Sequence, residues 1–262
     1  MKRMWEIKQN AQRENALEMY IYGEVKSNEV DYQNWTVKES ENSANHLRQE
    51  LSKYPNVNQI DIYINSTGGS VFEGTAIYNQ LRRHSAHKTV HVDGFACSIA
   101  SVIAMAGDEV IMPKNALMMV HDMWMGATGN ARELRKYADD LDTINAAGRA
   151  AYLAKAGDKL TEEQLIRMME EETWLTAEQC MQYGFADKYA EKDADMDNAM
   201  QMMQQSLNTM QQSVAMHKSI AAQLRELTAP TNPPPPLPKA HKEDPKNEKT
   251  EHGIMQVLSG LF

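Results

Sequence analysis

Residues 60–71 read Ile-Asp-Ile-Tyr-Ile-Asn-Ser-Thr-Gly-Gly-Ser-Val. Ile60 to Asn65 is a strand-like apolar run, Gly68 and Gly69 form a turn, and a helical pattern over about 71–84 follows. Working outward, the same alternation recurs. Upstream lie a strand-like Leu17 to Val25 (LEMYIYGEV) and a predicted helix over about 36–54. Downstream come strand-like Thr89 to Gly94, a helix over 98–106, strands at Glu109 to Met112 and Ala116 to His121, and a long helix from about 130. Strands separated by helices indicate crossover connections and a largely parallel sheet, so the chain is assigned to the α/β class.

The junctions between these elements carry the chemistry. Adjacent glycines in Ile64 to Val71 let the backbone turn tightly and bring bare N–H groups near a ligand at a helix start. The pattern is neither a Walker loop nor a dinucleotide fingerprint, and an ordinary strand-to-helix connection explains it equally well. Gly94-Phe95-Ala96-Cys97-Ser98-Ile99-Ala100-Ser101 places Ser98 in a small-residue turn, with the Ile99 N–H directed to the same pocket. Ser is also a common helix N-cap, and the stretch does not match the Gly-x-Ser-x-Gly elbow of the α/β-hydrolases. His121 ends an apolar strand and precedes Asp122 and the loop from Met123 to Gly129. A histidine so placed is either a structural residue or a general base; paired with a serine hydroxyl at a helix start, it points to acyl transfer. His91, alternating with Val90 and Val92, is the chief competitor and is expected on the surface of a half-buried strand.

Composition narrows the classes. The chain has 262 residues, 42% of them hydrophobic, and a formal charge of −9, which argues against nucleic acid as a partner because phosphate binding needs clustered Lys and Arg. Cys97 and Cys180 are two cysteines only, read as reduced core thiols. No His or Cys pair has ligand spacing with a supporting third group, so no metal and no cofactor is expected. The polar stretch from Met1 to Asn10 and the lack of a run of roughly 20 apolar residues lead to the expectation of a cytoplasmic protein without membrane contact.

Four blocks in order, YINSTGG, GFACSIAS, MMVH and TWLTAEQCMQYGFAD, resemble the ClpP-type serine peptidases, and especially the ClpP-related head-maturation proteases of tailed bacteriophages. The resemblance runs from about Leu17 to Tyr189. It implies a ClpP/crotonase-type spiral of βαβ units, with Gly129 to Gly157 as a long helix extending between subunits of a homo-oligomeric ring. It also implies Ser98 as nucleophile, His121 as general base, and the Gly69 and Ile99 N–H groups as the oxyanion hole. The position of the triad acid falls on Glu172, where the bacterial housekeeping enzyme has aspartate. Glu170, Glu171 and Asp122 are its rivals, although Asp122 adjoins the histidine and so points to the opposite face of the strand.

The organisation changes near residue 192. The expected domains are a protease over 1–192, a Met-rich amphipathic helix or coiled coil over 193–229, and a Pro-rich, charged, disordered tail with a short apolar end over 230–262. Met196, Met200, Met203, Leu207, Met210, Val214, His217, Ala221 and Leu224 recur at steps of four and three. In viral relatives such an extension resembles a scaffold segment, which implies scaffold or capsid proteins as substrates and the host cytoplasm and procapsid as location. The alternatives are a cellular ClpP-like peptidase working with an ATP-driven unfoldase, or a structural scaffold protein with a protease fold.

Overall fold

In the computed structural model, the described residues are 5–31, 34–197, 199–201 and 204. Strands β1 (Trp5–Gln9), β2 (Ala16–Val25), β3 (Glu29–Asp31) and β4 (Thr36–Lys38) precede helix α1 (Ala44–Ser52). Then come β5 (Gln59–Gly69), α2 (Val71–Arg83), β6 (His87–Cys97), α3 (Ile99–Ala104), β7 (Glu109–Met112) and β8 (Leu117–Val120). Helices α4 (Ala131–Ala156) and α5 (Glu162–Glu170), strand β9 (Thr173–Thr176), α6 (Ala177–Tyr183) and β10 (Lys188–Tyr189) complete the order.

β2, β5, β6 and β7 are mutually parallel neighbours, joined through α1, α2 and α3, so the sheet is built from three successive βαβ crossovers. The α/β class and the ClpP-type architecture expected from the sequence are those observed. Period-two alternation sorts the strands into two faces. Leu17, Met19, Ile21, Ile60, Ile62, Ile64, Val90 and Val92 are buried with Leu47, Leu51, Ile77 and Leu81 of the helices. Each such side chain contributes roughly 1.5–3 kcal/mol relative to exposure. On the other face Tyr20 stacks on Tyr63, and Tyr63 on His91, with centroids 4.8 Å apart in both pairs.

The helix expected over 36–54 forms only from Ala44. Thr36 and Val37 are β-branched and pair in β4 with β3 as an antiparallel hairpin, while the Ser43 hydroxyl accepts from His46 N–H at 3.2 Å and starts α1 there. β1, an antiparallel edge strand on β2, and β9 carry too short a pattern to be read beforehand. α2 and α4 lie where they were expected, each behind a capping residue, Ser70 and Asn130. No residue of α4 before Asn145 is buried; its later turns pack Asn145, Gly148, Ala151, Tyr152 and Ala156 inward.

Two features of β6 decide where its C-terminal end is delivered. Its first half pairs with β7 through Thr89 to His91, its last turn with β8 through Phe95 to Cys97, so the sheet forks along this strand. Opposite Asn65 the β6 chain bulges, and Asn65 Oδ1 fills the gap by accepting from Phe95 N–H at 3.1 Å. Of the expected C-terminal extension, only its start is described. Helical residues follow Met196, and Ala199 is buried against Phe95 and Cys97, with Met196 packed alongside. A Cβ on Gly94 would come within 2.4 Å of Ala199, so the absent side chain makes room for this contact. Met196 and Ala199 face the domain, whereas Met200, the next methionine of the row, is 58% exposed. The rest of the expected helix over 193–229, apart from Gln204, and the tail over 230–262 lie outside the described residues. Among the described residues no helix is long and apolar enough to cross a membrane.

α2 meets α3 at Gly74, where an added Cβ would lie 2.2 Å from Ile99 Cγ1. Gly74→Ala is expected to lose about 1–3 kcal/mol to overpacking, more than the helix propensity gained. Urea unfolding monitored by far-UV circular dichroism checks this, and a midpoint at or above that of the parent chain would show that the contact relaxes freely.

Candidate active site

Ser98 is the hinge residue between β6 and α3. Its amide donates to Met119 O at 2.9 Å, continuing the β6–β8 ladder by one residue, while φ 56° and ψ −132° turn the chain into the helix. A non-glycine residue at positive φ stores roughly 1–3 kcal/mol and persists only where neighbours over-determine it. The hydroxyl does not cap α3. Instead Ser98 Oγ lies 2.7 Å from His121 Nε2, and both residues are half-buried. With the ring proton on Nδ1, Nε2 accepts from the serine hydroxyl.

His121 follows β8, which is clamped between parallel β6 and antiparallel β9. Two bonds fix the chain just past it: Asp122 N–H donates to Met169 O at 3.2 Å and Met123 N–H to Asn145 Oδ1 at 2.8 Å. Asn145 was not singled out from the sequence; a polar residue at a buried position of the long helix is the signal that marks it.

The double glycine completes the wall of the site. A Cβ on Gly68 would stand 2.6 Å from Ser98 Cβ and 2.8 Å from Cys97 O, and Gly68 has φ +93°. A Cβ on Gly69, at φ +140°, would stand 2.2 Å from Val25 O. Only glycines let the β5 backbone run between Val25 and the serine. Ser66 Oγ accepts from Gly68 N–H at 3.1 Å and donates to Gly23 O, holding that backbone in place. Ile99 occupies the first position of α3, where its N–H has no intrahelical acceptor.

Glu172 is placed but not engaged. The antiparallel register runs from Leu117↔Thr176 to Val120↔Thr173, and His121 and Glu172 each lie one residue beyond its last pair. Glu172 N–H also donates to Met169 O, the carbonyl that Asp122 uses. Its side chain is exposed, its φ is 50°, and among the described residues no ion pair joins His121 to Glu172, Glu170, Glu171 or Asp122. His91 is half-buried against Tyr63, and burial lowers its pKa below the usual imidazole value. Burial pushes the Cys97 and Cys180 thiols up to about 12, so both are poor nucleophiles at neutral pH although Cys97 adjoins Ser98.

A sequence model of the Clp protease family matches residues 35–193, a span that contains Gly68, Gly69, Ser98, His121 and Glu172. The chain belongs to the Clp protease family. It is similar to an ATP-dependent Clp protease proteolytic subunit of Deinococcus radiodurans, 31% identical over 133 residues, covering 50% of this chain and 64% of that protein. It is likewise similar to the ATP-dependent Clp protease proteolytic subunit of Leuconostoc citreum, 32% identical over 148 residues, 52% of this chain and 70% of the relative. Proteolytic subunit 1 of Streptomyces avermitilis is 31% identical over 149 residues, 56% of this chain and 67% of the relative. The alignments therefore span about two thirds of these relatives' lengths and about half of this chain.

Gly68→Ala is expected to force Ser98 off its position. A displacement near 1 Å at a reacting atom reduces rate about 10²-fold. The rate of labelling by a fluorophosphonate, with circular dichroism to confirm folding, measures it; an undiminished rate would mean that the strand end and the serine move independently.

Proposed function

We propose that this chain is a serine endopeptidase acting through an acyl-enzyme. The observation that carries the reading is the 2.7 Å contact between Ser98 Oγ and His121 Nε2 at a strained strand-to-helix turn. Ser98 attacks the peptide carbonyl, His121 takes its proton and returns it to the leaving amine, and water releases the acyl group. The Gly69 and Ile99 N–H groups receive the oxyanion. We assign Glu172 the orienting role: the β8–β9 ladder ends at Val120↔Thr173, and His121 and Glu172 are the next residue of each chain segment beyond it. A carboxylate there holds the Nδ1 tautomer and favours the imidazolium that forms.

The wider role is also proposed. The relatives are named as proteolytic subunits of ATP-dependent proteases, which supports a protein substrate, a homo-oligomeric ring and an ATPase partner. The narrower reading, a phage head-maturation protease processing scaffold or capsid proteins, rests on the extension beyond residue 193, where the family match ends. In that reading residues 193–262 recruit the protease to an assembling procapsid.

Ser98→Ala is expected to abolish peptide hydrolysis and fluorophosphonate labelling without loss of fold; labelling that persists removes Ser98 from the mechanism. Glu172→Gln should lower kcat roughly 10²- to 10⁴-fold with little change in KM. Retained activity there, with loss in Asp122→Asn or Glu171→Gln, reassigns the acid.

A chain ending at Lys192 separates the two roles. It should keep Ser98 reactivity but fail to co-assemble with capsid or scaffold partners. Equal incorporation into procapsids would discard the recruitment role of residues 193–262.

A further inference from the structure

Behind the proposed nucleophile lies a run of hydroxyls that the reaction scheme leaves unused. Ser101, in the first turn of α3, is 0% exposed. Its Oγ lies 2.6 Å from Ser98 O, 3.2 Å from Met119 O and 2.7 Å from the Tyr152 hydroxyl. Ser101 Oγ has one proton and carbonyl oxygens only accept; giving that proton to the nearer carbonyl, Ser98 O, lets the Tyr152 hydroxyl use its own proton as well. The Tyr152 hydroxyl must then donate into Ser101 Oγ. Burial pushes the Tyr152 phenol above its ordinary pKa, so it stays protonated and remains a donor. The relay Tyr152 to Ser101 to the Ser98 carbonyl is the arrangement that uses both hydroxyl protons.

What this relay touches is both ends of one residue. Ser98 O accepts from Ser101 Oγ and from Ser101 N–H, at 2.6 Å and 3.0 Å. Met119 O, the second carbonyl within reach of Ser101 Oγ, is the one that receives the Ser98 amide. A residue at φ 56° needs such restraints, because the strain stored there is released by any rotation of the flanking peptides. Tyr152 itself is buried: it is 2% exposed, and its ring lies 5.4 Å from that of Phe185. It belongs to α4, more than fifty residues along the chain from the serine, so the relay ties the buried end of the long helix to the turn.

We propose that Tyr152 is a positioning residue that, through the Ser101 hydroxyl, holds the Ser98 backbone in the orientation from which its Oγ meets His121. This inference rests on the reading of Ser98 as nucleophile. Neither side chain contacts substrate. Both act by restricting one peptide unit, so their loss lowers the rate of acylation without moving the pH midpoint at which it occurs.

The test uses the full chain and the rate of fluorophosphonate acylation across pH, with thermal melting in parallel. Tyr152→Phe keeps the ring and leaves Ser101 bonded to Ser98 O. Its acylation rate is expected to fall about 10- to 10²-fold, with an unchanged pH midpoint and a melting temperature close to the parent's. Ser101→Ala should fall at least as far and should also melt lower, because it strands the buried phenol hydroxyl. The double variant Ser101→Ala/Tyr152→Phe removes that stranded group, so it should regain stability relative to Ser101→Ala yet stay slow. Reactivity that returns together with stability would overturn the proposal, as would Tyr152→Phe acylating at the parent rate while Ser98→Ala does not label. A parent chain that does not label, or Ser98→Ala that does, removes the nucleophile itself, and this inference falls with it.

Discussion

Ser98 is held in a left-handed backbone conformation at the point where β6 leaves the sheet, and the arrangement of the surrounding elements is what makes that conformation tolerable. β8 supplies Met119 O for its amide, α3 supplies Ser101 for its carbonyl, and β5 supplies a glycine where any Cβ would strike it. Strain of this kind is stable only when several independent contacts agree. Each of these contacts comes from a different element. The forked sheet is therefore more than a platform: by changing partner from β7 to β8 along its length, β6 carries the serine out of the layer and up to His121.

The same fork bears on Glu172, the proposed orienting acid, whose side chain is exposed. β9 pairs antiparallel with β8 as far as Val120↔Thr173, which leaves His121 and Glu172 each one residue beyond the last pair, without any requirement on the Glu172 side chain. Backbone pairing is a coarse constraint. It brings two residues within reach, but the rotamer of an exposed glutamate is settled by solvent and by whatever packs on that surface. A Ser98–His121 pair on anchored backbone and a Glu172 side chain left at the surface are thus consequences of one topology, differing only in how deeply each residue is held.

Much of this architecture is legible from residue types and their order. The strand-like runs at 17–25, 60–65 and 109–112 coincide with or lie within observed strands, and the helices expected over about 71–84 and from about 130 form there. These segments carry sustained apolar periodicity, and each of the two helices has a clear cap, so local preference and tertiary packing agree. The expected helix over 36–54 fails in its first half because β-branched Thr36 and Val37 find a partner strand, a pairing that no local pattern announces. The Met196 row, of which only the start is described, poses a different question. Its period is helical, but which face turns inward is decided by the room left at Gly94, on a strand about a hundred residues earlier.

By itself the sequence determined the α/β class, the order of the crossovers, the turn that presents Ser98 and the strand end that presents His121. These come from short-range causes: periodicity, capping, and glycines where the chain must bend. Only the tertiary structure decided that Ser98 Oγ meets His121 Nε2 rather than capping its own helix, and that Glu172 follows the end of the β8–β9 ladder with its side chain exposed. It alone revealed Ser101 and Tyr152 as a bonded pair behind the serine. The physical reason is distance along the chain. Hydrogen bonds between residues 23 or 51 apart depend on how sheets and helices pack, and a one-dimensional pattern records which groups can bond but not which ones are brought together.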